Sequence, residues 1–122
     1  MAAEQTWKIT VDGKTYEGVR GLRFTPKIRH ISGGRMPINV TVTATANGSP
    51  IGSTSGTIET PGQTITLSPI EWYPQAEGSY TIVFQAQAVD PDGRTGTAQA
   101  TLTAIVETYI PPPEIEIIIE VA

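Results

Sequence analysis

Residues 79–106 read SYTIVFQAQAVDPDGRTGTAQATLTAIV. Two β-rich runs, 79–89 and 95–106, flank Asp90-Pro91-Asp92-Gly93. Proline presets a turn φ, glycine accepts the left-handed region and an aspartate side chain bonds backbone two residues on, so these four residues predict a tight connection and the runs a long antiparallel hairpin. Working outward, residues 38–46 alternate Ile38, Val40 and Val42 against Asn39, Thr41 and Thr43, and stop at Asn47-Gly48. Residues 6–11 run into Asp12-Gly13 and residues 14–19 return from it, an opening hairpin. Residues 51–59 form a Ser/Thr-rich, edge-like segment, Pro61-Gly62 turns the chain, and residues 63–67 alternate again. From Arg20 to Pro37 the pattern is interrupted by Pro26, Gly33, Gly34 and Pro37, which predicts mainly loop with a short strand near Leu22. Helical periodicity occurs nowhere, so the chain is expected to be all-β.

A chain of 122 residues fits one domain with one hydrophobic core. Cysteine is absent, which removes disulfide frameworks, Cys-based zinc sites, thiol nucleophiles and thiol redox switches. A formal charge of -4 argues against general nucleic-acid binding, which needs a surface that neutralises phosphates. The opening MAAEQTWK has neither a charged n-region nor an apolar h-region, and no apolar run is long enough to cross a bilayer. The expectation is no membrane insertion, with assembly where the protein is made or after a leader has been replaced.

About seven short strands separated by Gly, Pro, Asn and Asp turns predict a two-sheet antiparallel sandwich. Tyr80 follows Glu77-Gly78-Ser79 and precedes Ile82 by two, the placement of a tyrosine corner, with Ile82 where antibody domains carry a cysteine. The segments NVTVTATANGSPIGSTSG (39–56), PGQTITLSPIEWYP (61–74) and GSYTIVFQAQAVD (78–90) resemble the immunoglobulin-like adhesion modules of prokaryotic surface proteins. The continuation DGRTGTAQATLTAIV (92–106) is similar to the last hairpin of bacterial immunoglobulin-like (Big) and PKD-type repeats. The resemblance implies an immunoglobulin-like sandwich over residues 1–106, used for spacing, adhesion or assembly.

Beyond it, residues 107–113 read as a Pro-rich linker and residues 114–122 as a strand arm. Residues 114–121 spell EIEIIIEV, with Ile115, Ile117, Ile119 and Val121 on one face of a strand and Glu114, Glu116, Ile118 and Glu120 on the other. Burying four such aliphatic side chains yields about 6 to 12 kcal/mol gross, whereas ordering the segment costs about 8 to 16 kcal/mol of backbone entropy. The strand therefore needs a neighbour that supplies ladder hydrogen bonds. Three prolines favour a stiff spacer reaching about 19 Å. That spacer can project the strand onto another subunit by β-strand addition, or carry it to the opposite sheet of its own subunit, about 10 Å away. Charge fits the first destination: Arg20, Arg23, Lys27, Arg29 and Arg35, with His30, fall in a stretch without acids, while Glu107, Glu114, Glu116 and Glu120 fall in one without bases. Two ordinary solvated surfaces would read the same way.

Catalytic, cofactor and metal sites are not read from the sequence. His30 is the only histidine and has no nearby carboxylate in sequence to orient it. Asp90 and Asp92 are explained by turn chemistry, and Gly33-Gly34 lacks phosphate-loop spacing. Asn39-Val40-Thr41 and Asn47-Gly48-Ser49 match the N-glycosylation sequon, making Asn39 and Asn47 candidate glycan sites. Trp7, Trp72 and Tyr73 are expected in the core, with stacking on sugars as the competing role. The expected function is a non-enzymatic structural subunit of a virion (capsid, decoration or tail) or an extracellular filament. Its expected partners are copies of itself or another structural protein of the assembly. The alternative is an extracellular adhesion or carbohydrate-binding module.

Overall fold

The computed structural model describes residues 5–111, 115 and 117–121. Among them every regular element is a strand: β1 (Trp7–Val11), β2 (Lys14–Val19), β3 (Leu22–Phe24), β4 (Lys27–Arg29), β5 (Ile38–Ala46), β6 (Ser49–Ile58), β7 (Thr64–Thr66), β8 (Ile70–Trp72), β9 (Gly78–Val89) and β10 (Thr95–Thr108). Six strands form one antiparallel sheet in the order β2-β1-β10-β9-β5-β6, while β3 pairs with β8 and β4 with β7. The fold is all-β with antiparallel sheets, as the sequence predicts.

Turn chemistry sets the registers. Asp12 and Asn47 both sit at a φ of 49°, and Gly13 and Gly48 follow at 78° and 84°. Two consecutive positive φ values give the mirror-image turn whose twist matches paired strands. Val11 accordingly faces Lys14, and Ala46 faces Ser49. At the top of the long hairpin the Gly93 amide donates to the Asp90 carbonyl at 3.0 Å, and Val89 faces Thr95.

The two short pairs are one ribbon. Leu22 faces Trp72 and Phe24 faces Ile70, while Lys27 faces Thr66 and Arg29 faces Thr64. Both pairings run in the same direction and differ by one residue in register, with residues 67–69 opposite residues 25 and 26. The Leu67 amide bridges the slip by donating to the Pro26 carbonyl at 2.9 Å. Pro26 and Pro69 have no amide proton to give the ladder, so the ladder is interrupted there.

This ribbon covers part of the large sheet. Leu22, Phe24 and Trp72 pack with Trp7, Ile9, Val11, Ile82, Ala104 and Val106. Ile28, Ile65 and Leu67 pack with Ile38, Val40, Val42 and Ala86, and Phe84 touches both clusters. Aromatic edges join the layers: Phe24 meets Phe84 at 5.4 Å and Trp72 meets Tyr80 at 5.2 Å between ring centres, both edge to face. On β6, a Cβ at Gly52 would lie 2.9 Å from Ile70 Cγ2, and one at Gly56 2.5 Å from Leu67 Cδ2. Glycine at these positions lets β6 approach the ribbon.

Three expectations are corrected. Residues 20–37 lie mostly outside strands, with β3 at Leu22 as expected, but they hold a second strand, β4, and β8 and β7 supply partners that the sequence did not announce; strands of three residues are too short for alternation to stand out. Glu107 and Thr108 belong to the sheet rather than to a linker, since Glu107 faces Lys8 and Thr108 faces Trp7 on β1. Ile115, Ile117, Ile118, Ile119, Glu120 and Val121 lie in no strand, for want of a ladder partner. Glu114 and Glu116 fall outside the described residues.

Candidate assembly interface

The arm presents its aliphatic side chains to water. Ile115 is 91% exposed, Ile117 82%, Ile118 85%, Ile119 85% and Val121 89%. Scattered exposed hydrophobics are ordinary, but a contiguous run of large aliphatics is a mark of an interaction site.

A second unsatisfied surface lies on β10. Ala98, Ala100, Leu102, Ala104 and Val106 alternate onto the inner face of the sheet. Ala104 and Val106 are buried by the ribbon, whereas Ala98 and Ala100 are exposed. The ribbon ends at residues 22–29 and leaves a cavity of about 460 Å³ lined by Phe24, Ile28, Phe84, Ala98, Ala100 and Leu102. A neighbouring cavity of about 430 Å³ shares Ile28, Ala86 and Ala98 with it. Backbone edges flank this groove. Among the described residues no strand pairs with the far side of β3 and β4, and β1 pairs with β10 only from Ala104 onward.

The basic residues separate by environment. Arg23 bonds Glu71 across the ribbon at 2.9 Å, and the Tyr73 hydroxyl donates to the other Glu71 oxygen at 2.7 Å. The Tyr73 hydroxyl and the Arg23 guanidinium hold the Glu71 carboxyl below the usual carboxylate range. The same bond pushes the Tyr73 hydroxyl up, an effect that the nearby Arg20 and Arg23 oppose. Arg35 is forked onto Asp92 at 3.0 and 3.1 Å. The stretch read as free of acids thus has acids brought to it from a strand and a turn distant in sequence, Glu71 on β8 and Asp92 between β9 and β10. Lys27 and Arg29 differ: they point outward from β4, with Ile28 inward between them, and have no ion-pair partner among the described residues.

Asp90, with 6% of its surface exposed, is the one buried charged residue among those described. Oδ1 accepts the amides of Asp92 at 3.0 Å and Arg94 at 2.8 Å, and Oδ2 accepts the Arg35 amide at 2.9 Å. Burial pushes its carboxyl up, but the amides of Arg94, Arg35 and Asp92 and the Arg94 guanidinium outweigh it, so the group stays below the ordinary range. Those donors fill the carboxylate, and among the described residues no three His, Asp or Glu side chains converge into a metal cluster. His30 clamps two loops: Nδ1 accepts the Gly62 amide at 3.0 Å, which leaves Nε2 to donate to the Gly33 carbonyl at 2.7 Å.

The remaining sequence candidates are dispersed. Asn39 is exposed on β5, where Oδ1 accepts the Thr57 hydroxyl at 3.2 Å. Asn47 fastens the β5–β6 turn to β9: Oδ1 accepts the Thr81 amide at 2.8 Å and Nδ2 donates to the Ser79 carbonyl at 3.2 Å. Its amide nitrogen, the atom a glycan would need, is thus engaged. Trp7 and Trp72 are buried as expected, but Tyr73 is 54% exposed. Sequence reasoning missed the groove, because its signal is a row of alanines that looks like ordinary strand filler.

Among the described residues no helix is long and apolar enough to cross a membrane. In comparisons with known proteins, no family model, no curated protein and no solved structure matches this chain.

Proposed function

We propose that this protein is a non-enzymatic structural subunit that binds copies of itself, or another structural protein of the same assembly, through residues 114–121. The setting is a virion (capsid, decoration or tail) or an extracellular filament. One observation carries the reading: the described aliphatics of the arm stand in water at 82% to 91% exposure, and among the described residues no strand pairs with this β-prone segment. Strand addition to another chain supplies both the missing ladder and a burial site.

An immunoglobulin-like sandwich is the scaffold that suits this role. Its support is the Tyr80 hydroxyl, which donates back to the Ala76 carbonyl at 2.7 Å, together with the wholly buried Ile82 two residues on. Placement of β9 between β10 and β5 also agrees with that scaffold, while β1 and β2 extend the sheet past β10 in a departure from it.

Sedimentation of the full-length chain and of a chain ending at Pro113, over a wide concentration range, tests the reading. The full-length chain is expected to grow with concentration, and the shortened one to stay monomeric with unchanged thermal stability. A full-length chain that remains a monomer, or a shortened one that assembles equally well, overturns it. The alternative, a sugar-binding adhesion module, keeps the exposed Tyr73 ring beside Glu71 in its favour. It predicts a monomer that binds glycans and loses them with Tyr73→Ala.

A further inference from the structure

Resting on that proposed function, we infer where the arm goes: residues 114–121 of one copy lie along the free edge of residues 22–29 of a second copy, over the inner face of β10. The arm's aliphatic face then covers Ala98, Ala100 and Leu102, and its glutamates stand beside Lys27 and Arg29.

Steric fit is the first argument. Two packed β layers are spaced about 10 Å apart and need large side chains from at least one of them. β10 contributes only methyl groups at Ala98 and Ala100, so the missing bulk must come from the opposite layer. The ribbon does not reach there, which is why these alanines are exposed and why a cavity of about 460 Å³ remains. A row of isoleucines at alternate positions supplies that bulk at the spacing of a strand.

Backbone complementarity is the second argument. Residues 22–29 hydrogen-bond to residues 64–72 on one side, and among the described residues no strand occupies the other side. The arm is about as long as that edge. Pro26 turns its carbonyl to the paired side, where it accepts the Leu67 amide, so the free edge is offered by the residues on either side of it.

Charge selects this edge. With Ile115, Ile117, Ile119 and Val121 turned inward, Glu114, Glu116 and Glu120 take the outer face. Lys27 and Arg29 occupy the outer face of the adjacent strand and lack acidic partners among the described residues. Opposite charges on neighbouring strands are favourable and fix register. At the open edge of β10, by contrast, the glutamates would face away from these cations. Because each copy has one arm and one groove on different surfaces, the contact is head to tail and can propagate.

The test uses full-length chains. Ala100→Asp puts a carboxylate in the apolar groove at an exposed position, so the fold is retained and self-association is expected to weaken about 100-fold. Ile117→Asp disables the arm and leaves the groove intact. Mixing these two variants is expected to restore a heterodimer that grows no further, since one good arm meets one good groove. Cysteine mapping adds geometry, because the chain has no cysteine of its own. Arg29→Cys, paired with Glu114→Cys, Glu116→Cys or Glu120→Cys on a second chain, is expected to form an intermolecular disulfide with one partner in preference to the others. If Ala100→Asp assembles like the parent while the chain ending at Pro113 does not, this groove is the wrong acceptor and the proposed function stands. Disulfides that form equally with every partner, or with none while assembly persists, overturn the edge assignment in the same way. A monomeric full-length chain overturns both.

Discussion

Replacing Asn47 dissects how the β5–β6 turn is fastened to the rest of the sheet. Its backbone sits at a φ of 49°, its Oδ1 accepts the Thr81 amide at 2.8 Å and its Nδ2 donates to the Ser79 carbonyl at 3.2 Å. The Asn47 amide itself donates to the Thr81 carbonyl at 2.9 Å. Asn47→Gly keeps the left-handed backbone and removes only the two side-chain bonds. Each is worth about 0.5 to 1.5 kcal/mol net, and because water reaches the site the lower half applies, giving about 1 kcal/mol in all. Asn47→Ala loses the same bonds and leaves in the left-handed region a Cβ whose strain is not offset by local side-chain hydrogen bonding, as it is for asparagine, adding about 1 kcal/mol relative to the glycine variant. For a domain of this size about 4 °C in Tm corresponds to 1 kcal/mol, so the glycine variant is expected about 4 °C below the parent and the alanine variant about 8 °C below. Urea titration should show lower midpoints at unchanged slope. Equal stabilities for the two variants would refute the requirement for a left-handed residue, and parent-like stability of both would refute the fastening itself.

Two further outcomes follow from the same structure. Gly56→Val should cost about 1 to 3 kcal/mol, because its Cβ would fall 2.5 Å from Leu67 Cδ2 and 3.2 Å from Ile65 Cδ1; a neutral result in chemical denaturation would mean that β6 does not approach the ribbon this closely. Asp90 has a folded-state pKa below its ordinary value, so its contribution to stability is fully present above about pH 4 and is lost as pH falls through the depressed folded value. Asp90→Asn should therefore be less stable than the parent at pH 7 and show a shallower loss of stability on acidification; parallel acid profiles would contradict that assignment.

Strands with long unbroken alternation were legible in the sequence, as residues 38–46 show: Ile38, Val40, Val42, Ala44 and Ala46 all turn to the core. So were turns whose chemistry is local, Asp12-Gly13, Asn47-Gly48 and Asp90-Pro91-Asp92-Gly93, because a positive φ or an aspartate bonding nearby amides needs no distant partner. The ribbon was not legible. Its pairing of residues 22–29 with residues 64–72 spans a long stretch of chain, and each piece is too short and too interrupted by proline to carry a period. For the candidate site, the arm could be named from EIEIIIEV alone. The groove proposed to receive it could not, since Ala98 and Ala100 look no different from the buried Ala104 until the edge of the ribbon is located.

By itself the sequence determined an all-β chain, the hairpins at its local turns, and a terminal segment with a greasy side, since all three follow from neighbours within a few residues. Only the tertiary structure decided which alternating residues find cover, which cations meet acids, and where an uncovered strip remains. Those outcomes depend on how far one layer extends over another, a property of pairings between residues dozens of positions apart, which no local pattern records.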